Sequence, residues 1–158
     1  MTFTFWHCGI LIGESDLEEP GDHPGQRAGV FCPTVYGLEV FPRLSGILSA
    51  AAALKSHVEE QGLSPEEIEP SEIQQLFDTT DAGQKVIDIG RMLVDVEMRG
   101  ADGERVEVAS IAFSDLLEIQ RLAQSLGVAT LDDLTEWPSE APRYIVSATL
   151  RSGSRPRR

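Results

Sequence analysis

The chain has 158 residues, of which 41% are hydrophobic and 25% are charged, and its formal net charge is −13. This length suits one domain with a single hydrophobic core, and the composition excludes a disordered or fibrous chain. The negative charge disfavours nucleic acid and anionic membranes as partners, whereas it favours solubility and the attraction of a basic protein. The longest apolar run, residues 47–54, is too short to cross a bilayer.

The N-terminal segment, residues 2–12, alternates aromatic and β-branched side chains, which predicts a central β-strand. It lacks the basic region of a secretory signal, so we expect a cytoplasmic protein. Cys8 and Cys32 form no CxxC pair, and a reducing cytoplasm would keep them as free thiols. We expect both thiols to be buried.

Residues 13–29 are rich in Glu, Asp, Gly and Pro and show no apolar periodicity, which predicts a long acidic loop. A short second strand is expected over residues 30–35, returning beside the first one. Pro33 restricts this second strand to the edge of the sheet, because proline cannot donate a ladder hydrogen bond.

The apolar period changes to that of a helix from Phe41 onward. The apolar stripe consists of Leu44, Ile47, Leu48, Ala51, Leu54 and Val58. Pro42 fits the first turn of this helix, where a missing N–H has no cost. Gly62 is placed to end the helix in a left-handed conformation.

A second helical region is predicted after this glycine. Ser64 and Glu67 form a capping-box pattern, in which each side chain satisfies a free amide at a helix start. We expect helical segments to continue to about Gly90, with interruptions near Pro70 and Thr80.

Alternating apolar residues on both sides of residues 100–103 predict the clearest β-hairpin in the sequence. Its first strand is expected over residues 92–98, and its second strand is expected to reach about Phe113. Ser114 is placed to cap a following helix, and Gly127 is placed to end it.

A last strand is predicted over residues 144–150, so the order is strand, helices, strand, strand, helix, strand. We expect one α+β domain, residues 1–150, in which a mainly antiparallel sheet packs against helices, and a basic, flexible tail over residues 151–158. The order fits a ferredoxin-like split βαβ motif with an enlarged first crossover. It fits equally an N-terminal hairpin joined to a central hairpin in a purely antiparallel sheet.

Three segments carry a resemblance to known sequences. They read GILIGESDLEEP, GVFCPTVYGLEVF and VDVEMRGADGERVEVASIAFSDL. Together they cover about a third of the chain, and they resemble a loose set of small, uncharacterised bacterial α+β proteins. The resemblance implies a bacterial origin, and it brings no activity or catalytic residue with it.

Candidate metal ligands occur in two groups. The acidic loop carries several carboxylates and His23, but their spacing does not match the EF-hand register. His7, Cys8, His23 and Cys32 are residue types that zinc accepts as ligands. On a pleated strand, however, His7 and Cys8 point to opposite faces, so we predict no metal site and no cofactor.

The sequence contains no GxSxG, P-loop, dinucleotide-binding or HExxH motif, which disfavours the enzyme classes that use them. We therefore predict a noncatalytic, acidic protein-binding module, such as an adaptor, an inhibitor or an immunity-type protein, that recognises a basic partner. The predicted contact residues are Asp16, Glu18, Glu19, Asp22 and Trp137.

Two alternatives remain open at this point. A small metal-dependent or His/carboxylate hydrolase would use Asp16 and His23 together with nearby carboxylates. A homo-oligomer would form through an exposed edge of the sheet.

Overall fold

The computed structural model describes residues 1–19, 24–125 and 142–151. The fold is α+β, as predicted, with antiparallel sheets that pack against helices. The strands are β1 (Thr2–His7), β2 (Ile10–Asp16), β3 (Gln26–Val30), β4 (Cys32–Pro33), β5 (Val96–Arg99), β6 (Arg105–Val106), β7 (Val108–Asp115) and β8 (Tyr144–Leu150). The helices are α1 (Val35–Ser45), α2 (Ile47–Glu60), α3 (Pro70–Thr79), α4 (Asp81–Val94) and α5 (Leu116–Ser125).

The strands form a five-stranded sheet in the order β4-β2-β1-β5-β6 and a three-stranded sheet in the order β3-β8-β7. The β1–β2 hairpin therefore lies directly beside the β5–β6 hairpin, as in the purely antiparallel alternative. Every strand pair in the described part of the chain is antiparallel. A ferredoxin-like motif keeps its first and last strands in one sheet, whereas here β1 and β8 belong to different sheets. The chain enters the second sheet at β3, returns to the first sheet at β4, and enters the second sheet again between β6 and β7.

The N-terminal segment is a tight hairpin, so the prediction of one long strand over residues 2–12 is wrong. β1 ends at His7, and the turn consists of Cys8, with φ of 50°, and Gly9, with φ of 78°. A positive φ is uncommon for cysteine, and here it reverses the chain within two residues. β2 then returns along β1, with Thr2 opposite Asp16 at the far end.

The predicted loop over residues 13–29 is also wrong at both of its ends. β2 extends to Asp16, and β3 begins at Gln26. The period of two is hidden in the sequence because small residues, Gly13 and Ser15, occupy the inward positions of β2. A Cβ atom at Gly13 would lie only 2.4 Å from the ring of Phe31. The core therefore has no room for a larger side chain at this position of β2.

An aromatic cluster holds the two sheets and α1 together. Phe5 of β1 packs edge-on against Phe31 and Phe113, with ring centroids 5.7 and 5.8 Å apart. Phe41 of α1 contacts Phe113 and the ring of Tyr144. Such pairs contribute about 0.5–1.5 kcal/mol beyond the area they bury. These contacts fix β1 at its centre.

The first helix begins at Val35 and not near Phe41. Thr34 caps it, since its Oγ1 accepts a hydrogen bond from the amide of Gly37 at 3.0 Å and donates one to the carbonyl of Leu11. Pro42 consequently lies inside α1, and its predicted place in the first turn is wrong. The predicted apolar stripe is divided between α1 and α2 and is only partly buried. Leu44 and Val58 are buried, whereas Leu48 and Ala51 are exposed.

The later helices follow the predicted interruptions at Pro70, where α3 begins, and at Thr80. The Thr80 side chain caps α4 by accepting a hydrogen bond from the amide of Gly83. Ser64 makes no capping hydrogen bond, and a single 3-10 turn stands where a capping box was predicted. α4 continues to Val94, so the strand that was predicted from residue 92 begins only at β5.

The run formed by α1 and α2, residues 35–60, meets a length and composition criterion for a membrane-crossing helix, with a mean hydropathy of 1.2. About 39% of its apolar window is buried inside the fold. Val40, Phe41 and Leu44 of this run belong to the hydrophobic core. Packing within the domain therefore uses part of its apolar surface, while Val35, Leu38 and Leu48 are exposed.

The start of α5 is fixed by Asp115 and not by Ser114. Asp115 accepts a hydrogen bond from the amide of Leu117 at 3.1 Å and binds Arg143 through both carboxylate oxygens. The hydrogen bonds with Asp115 raise the pKa of Arg143 above its ordinary value.

The predicted last strand is confirmed as β8. The predicted helix end at Gly127 and the predicted tail beyond Arg151 lie outside the described residues.

Candidate functional site

A cleft of about 450 Å³ opens between β2 and β3 at the end of the β1–β2 hairpin that is far from its turn. Three carboxylates line it, those of Glu14, Asp16 and Glu18, and we refer to it as the acidic cleft. No Lys or Arg is found among the described residues that form its lining. The cleft therefore concentrates negative charge at one place on the surface.

The cleft exists because β2 of the first sheet and β3 of the second sheet run close together without forming a continuous ladder of hydrogen bonds. The short strand β4 pairs with β2 only at Gly13 and Glu14. Further along, Glu18 forms an isolated bridge to Ala28, with two backbone hydrogen bonds of 3.0 Å. Between these two points β3 approaches β2 without pairing, and a Cβ atom at Gly29 would lie 2.5 Å from the Asp16 carbonyl oxygen.

One polar atom of the cleft lining has no partner. Ser15 is 2% exposed, and its Oγ makes no hydrogen bond to any described part of the chain. A buried hydroxyl without a partner costs about 1–3 kcal/mol, so native proteins rarely keep one without a reason. Ser15 occupies an inward position of β2, so this oxygen lies on the face of the strand opposite to Glu14 and Asp16.

The predicted contact residues have different outcomes in the structure. Asp16 and Glu18 are brought together, and Asp16 accepts a hydrogen bond from Thr2. Glu19 instead pairs with Arg27 at 3.1 Å, so its charge is already compensated. In the sequence Glu14 counts among the carboxylates of the acidic loop but is not predicted as a contact residue, although its spacing of two residues from Asp16 is the signal of a shared strand face.

Three further residues named from the sequence are not placed. Asp22, Trp137 and His23 lie outside the described residues, and the Asp16–His23 pair of the hydrolase alternative is therefore not tested by the geometry. Both cysteines are exposed, so the prediction of buried thiols is wrong. Cys8 is exposed because it lies in the hairpin turn, and Cys32 because it lies at the rim of the acidic cleft.

A second group of functional side chains lies at the turn end of the same hairpin. One ligand-type atom from each of His7, Cys8 and Asp95 lies within 4.8 Å of the other two, and we call this group the β1–β5 corner. The Cys8 Sγ is 3.7 Å from the His7 Nε2. The His7 Nδ1 is 3.4 Å from the hydroxyl of Tyr36 in α1.

The antiparallel register of β1 and β5 explains this convergence. His7 is the partner of Val96 in that register, and Asp95 immediately precedes Val96 as the residue that ends α4. Cys8 belongs to a left-handed turn and not to a pleated strand, so its side chain approaches that of His7. The prediction that these two side chains point apart is therefore wrong.

The two regions offer different ligand chemistry on one hairpin. The acidic cleft presents three carboxylates and, at its rim, the thiol of Cys32, whereas the β1–β5 corner presents an imidazole beside a thiol and a carboxylate. Comparisons of the chain with protein-family models, with curated proteins and with solved structures find no match.

Proposed function

We propose that the protein is a noncatalytic binding module that recognises a basic segment of a partner protein at the acidic cleft. One observation carries this proposal. Three carboxylates line a single cleft, and the described residues of its lining include no Lys or Arg. In this proposal the protein works in the cytoplasm as an adaptor, an inhibitor or an immunity-type protein. Its charge of −13 disfavours nucleic acid and anionic membranes as alternative partners.

Arginine fits the cleft better than lysine does. A guanidinium group is planar and presents five donors in a fixed fork, which matches carboxylates that lie side by side along a strand. Glu14, Asp16 and Glu18 are spaced in this way along one face. Hydrogen bonds to charged groups contribute about 1.5–3 kcal/mol each, so a few of them suffice for specific recognition.

The remaining negative charge acts at longer range. The summed field of an acidic domain accelerates encounter with a basic partner and orients it before contact. Exposed charges are screened beyond about 8 Å at about 0.15 M salt. Binding at the cleft should therefore weaken strongly as the salt concentration rises, mainly through slower association.

The proposal is tested with a blocked tetra-arginine peptide, titrated into the full chain by calorimetry at low and at physiological salt. The cleft variant combines Glu14→Gln, Asp16→Asn and Glu18→Gln. We expect it to bind the peptide about tenfold more weakly or worse, because charge-assisted hydrogen bonds are lost.

A matched control removes the same charge elsewhere, by Glu60→Gln, Glu66→Gln and Glu72→Gln on the exposed helical side of the molecule. We expect this control to bind within about twofold of the native chain, since distant surface charges are screened. Equal losses in the two variants would contradict the proposal, because net charge alone would then attract the peptide. Binding that is indifferent to salt would contradict it as well.

A further inference from the structure

The side chains of the β1–β5 corner match a metal site in the types of their donor atoms. His7 offers an imidazole nitrogen, Cys8 a sulfur and Asp95 a carboxylate oxygen, each within 4.8 Å of the others. Zinc takes these three ligand types, and it prefers nitrogen and sulfur. No described residue of the acidic cleft supplies imidazole to its lining, so the corner is chemically distinct from it.

The measured separation fits one shared ion. Zinc binds thiolate sulfur at about 2.3 Å and imidazole nitrogen at about 2.0–2.1 Å in a tetrahedron, which places the two ligand atoms about 3.5 Å apart. The Cys8 Sγ and the His7 Nε2 are 3.7 Å apart. Cys8 and Asp95 are both exposed, so their side chains have room to rotate the remaining distance toward an ion.

His7 is held in the orientation that a ligand needs. It is 7% exposed, and its Nδ1 contacts the Tyr36 hydroxyl at 3.4 Å. A histidine that binds a metal through one nitrogen ordinarily makes a hydrogen bond with the other, which fixes the ring and its tautomer. The arrangement leaves Nε2, the nitrogen that faces Cys8, free to bind.

We propose that His7, Cys8 and Asp95 bind a borderline-soft divalent cation, with zinc as the representative ion. Three protein ligands leave a fourth tetrahedral position for water or for an atom of another molecule. The site would also link the hairpin turn to the end of α4. This inference is independent of the basic partner proposed for the acidic cleft.

A cysteine–histidine nucleophile is the competing interpretation of the same residues. In such a site the carboxylate orients the histidine from the nitrogen that is remote from the thiol. At this corner Tyr36, and not Asp95, contacts the remote nitrogen of His7. Asp95 instead lies beside Cys8 and His7, which is the position of a third ligand.

The test is a titration of the full chain with Co²⁺, followed by thiolate-to-cobalt charge-transfer absorption, and then by displacement with Zn²⁺. We expect one ion per chain and a charge-transfer band in the native protein. Cys8→Ser should abolish the band, and Asp95→Asn should weaken binding about tenfold or more. Tyr36→Phe should weaken binding about tenfold, through the lost orientation of His7.

Matched controls exist for each ligand. Cys32→Ser, Asp88→Asn and His57→Gln change the same residue types outside the corner, and we expect each to keep the band and the affinity. Cys8→Ser decides the test, because this exposed residue is replaced without disturbing the core. His7→Gln is added with circular dichroism to confirm folding.

Four results would overturn the proposal. They are the absence of a thiolate band in the native chain, a band that survives Cys8→Ser, an affinity that Asp95→Asn leaves unchanged, and one ion shared by two chains with dimerisation. Each of these results leaves peptide binding at the acidic cleft unaffected, so the two proposals fail separately.

Discussion

The acidic cleft and the β1–β5 corner lie at opposite ends of the β1–β2 hairpin. Six residues of β1 separate the two ends, which is a distance of about 20 Å at about 3.3 Å per residue. The acidic cleft draws its carboxylates from alternate positions of one stretch of chain. The corner joins residues 7 and 8 to residue 95 through the register of β1 and β5.

This difference determines which ligand each region suits. Residues from one strand edge form a line of like charges, which attracts an extended cationic segment. Ligand atoms that two chain segments bring within 4.8 Å of one another suit a single ion. The same hairpin therefore supports two kinds of recognition, and substitutions can affect them together or one at a time.

The largest expected effect comes from the core that supports both ends. Phe113 is 1% exposed and packs against Phe5, Phe31 and Phe41. Phe113→Ala should lower the free energy of unfolding by about 3–5 kcal/mol, because a large buried ring is removed and a cavity remains. Urea denaturation followed by circular dichroism measures this loss.

A matched control is Val94→Ala, since Val94 is 83% exposed. It should change the free energy of unfolding by no more than about 0.5 kcal/mol. If Phe113→Ala cost less than about 1 kcal/mol, the aromatic cluster would not be the support of β1 that the packing indicates.

The next largest effect is expected for Gly29→Ala, which should change the acidic cleft and leave the β1–β5 corner unchanged. Gly29→Ala introduces a Cβ atom 2.5 Å from the Asp16 carbonyl oxygen and 2.7 Å from Ser15 Oγ. We expect a loss of about 1–3 kcal/mol in the free energy of unfolding, because β3 must move away from β2. Tetra-arginine binding should weaken, whereas cobalt binding at the corner should stay the same.

The control for this change is Gly90→Ala in α4, where nothing lies within 4 Å of the new Cβ atom. Alanine should stabilise this exposed helical position by up to about 1 kcal/mol. Equal weakening of peptide and cobalt binding by Gly29→Ala would show that the two ends of the hairpin are not independent.

Much of the fold follows from apolar periodicity. β8 and the interruptions at Pro70 and Thr80 were predictable, because a period of two and helix breakers are local signals. β2 was not, because its inward positions hold Gly13 and Ser15. Those residues are small to accommodate Phe31 and Gly29 from elsewhere in the chain, and this requirement is a tertiary one.

The candidate sites show the same limit. Asp16 and Glu18 were predictable as a charged group, because they are close in sequence. The compensation of Glu19 by Arg27 was not predictable, since it depends on the pairing of residues on two segments. The proximity of Cys8 to Asp95 depends on both a left-handed turn and the β1–β5 register, and no local sequence pattern predicts either of them.

An intermediate effect is expected at Thr34, which joins β4 to α1. Thr34→Ala removes the hydroxyl that caps α1 and that also donates to the Leu11 carbonyl at 2.8 Å. The free energy of unfolding should fall by about 1 kcal/mol, as for other N-cap threonines. Thr34→Ser keeps the hydroxyl and should retain most of the stability. An equal loss of unfolding free energy in both variants would mean that the methyl group of Thr34, and not its hydroxyl, stabilises the protein.

The smallest expected effect is that of Glu19→Gln. Because Glu19 already pairs with Arg27, its neutralisation should change tetra-arginine affinity by less than about twofold. Glu18→Gln, one residue away, should weaken binding more, since Glu18 lines the cleft. Calorimetry at low salt compares the two variants, and a larger loss for Glu19→Gln would mean that peptide binding follows local charge density and not the cleft.

The most direct test maps both probes on the backbone amides of isotopically labelled protein by NMR. Tetra-arginine should shift the amides of residues 14–18 and 28–30, and an equimolar amount of Zn²⁺ should shift those of residues 7–10 and 95. Separate sets of shifted amides are the result that the two-region account predicts. A common set of shifted amides for the peptide and the ion would contradict it.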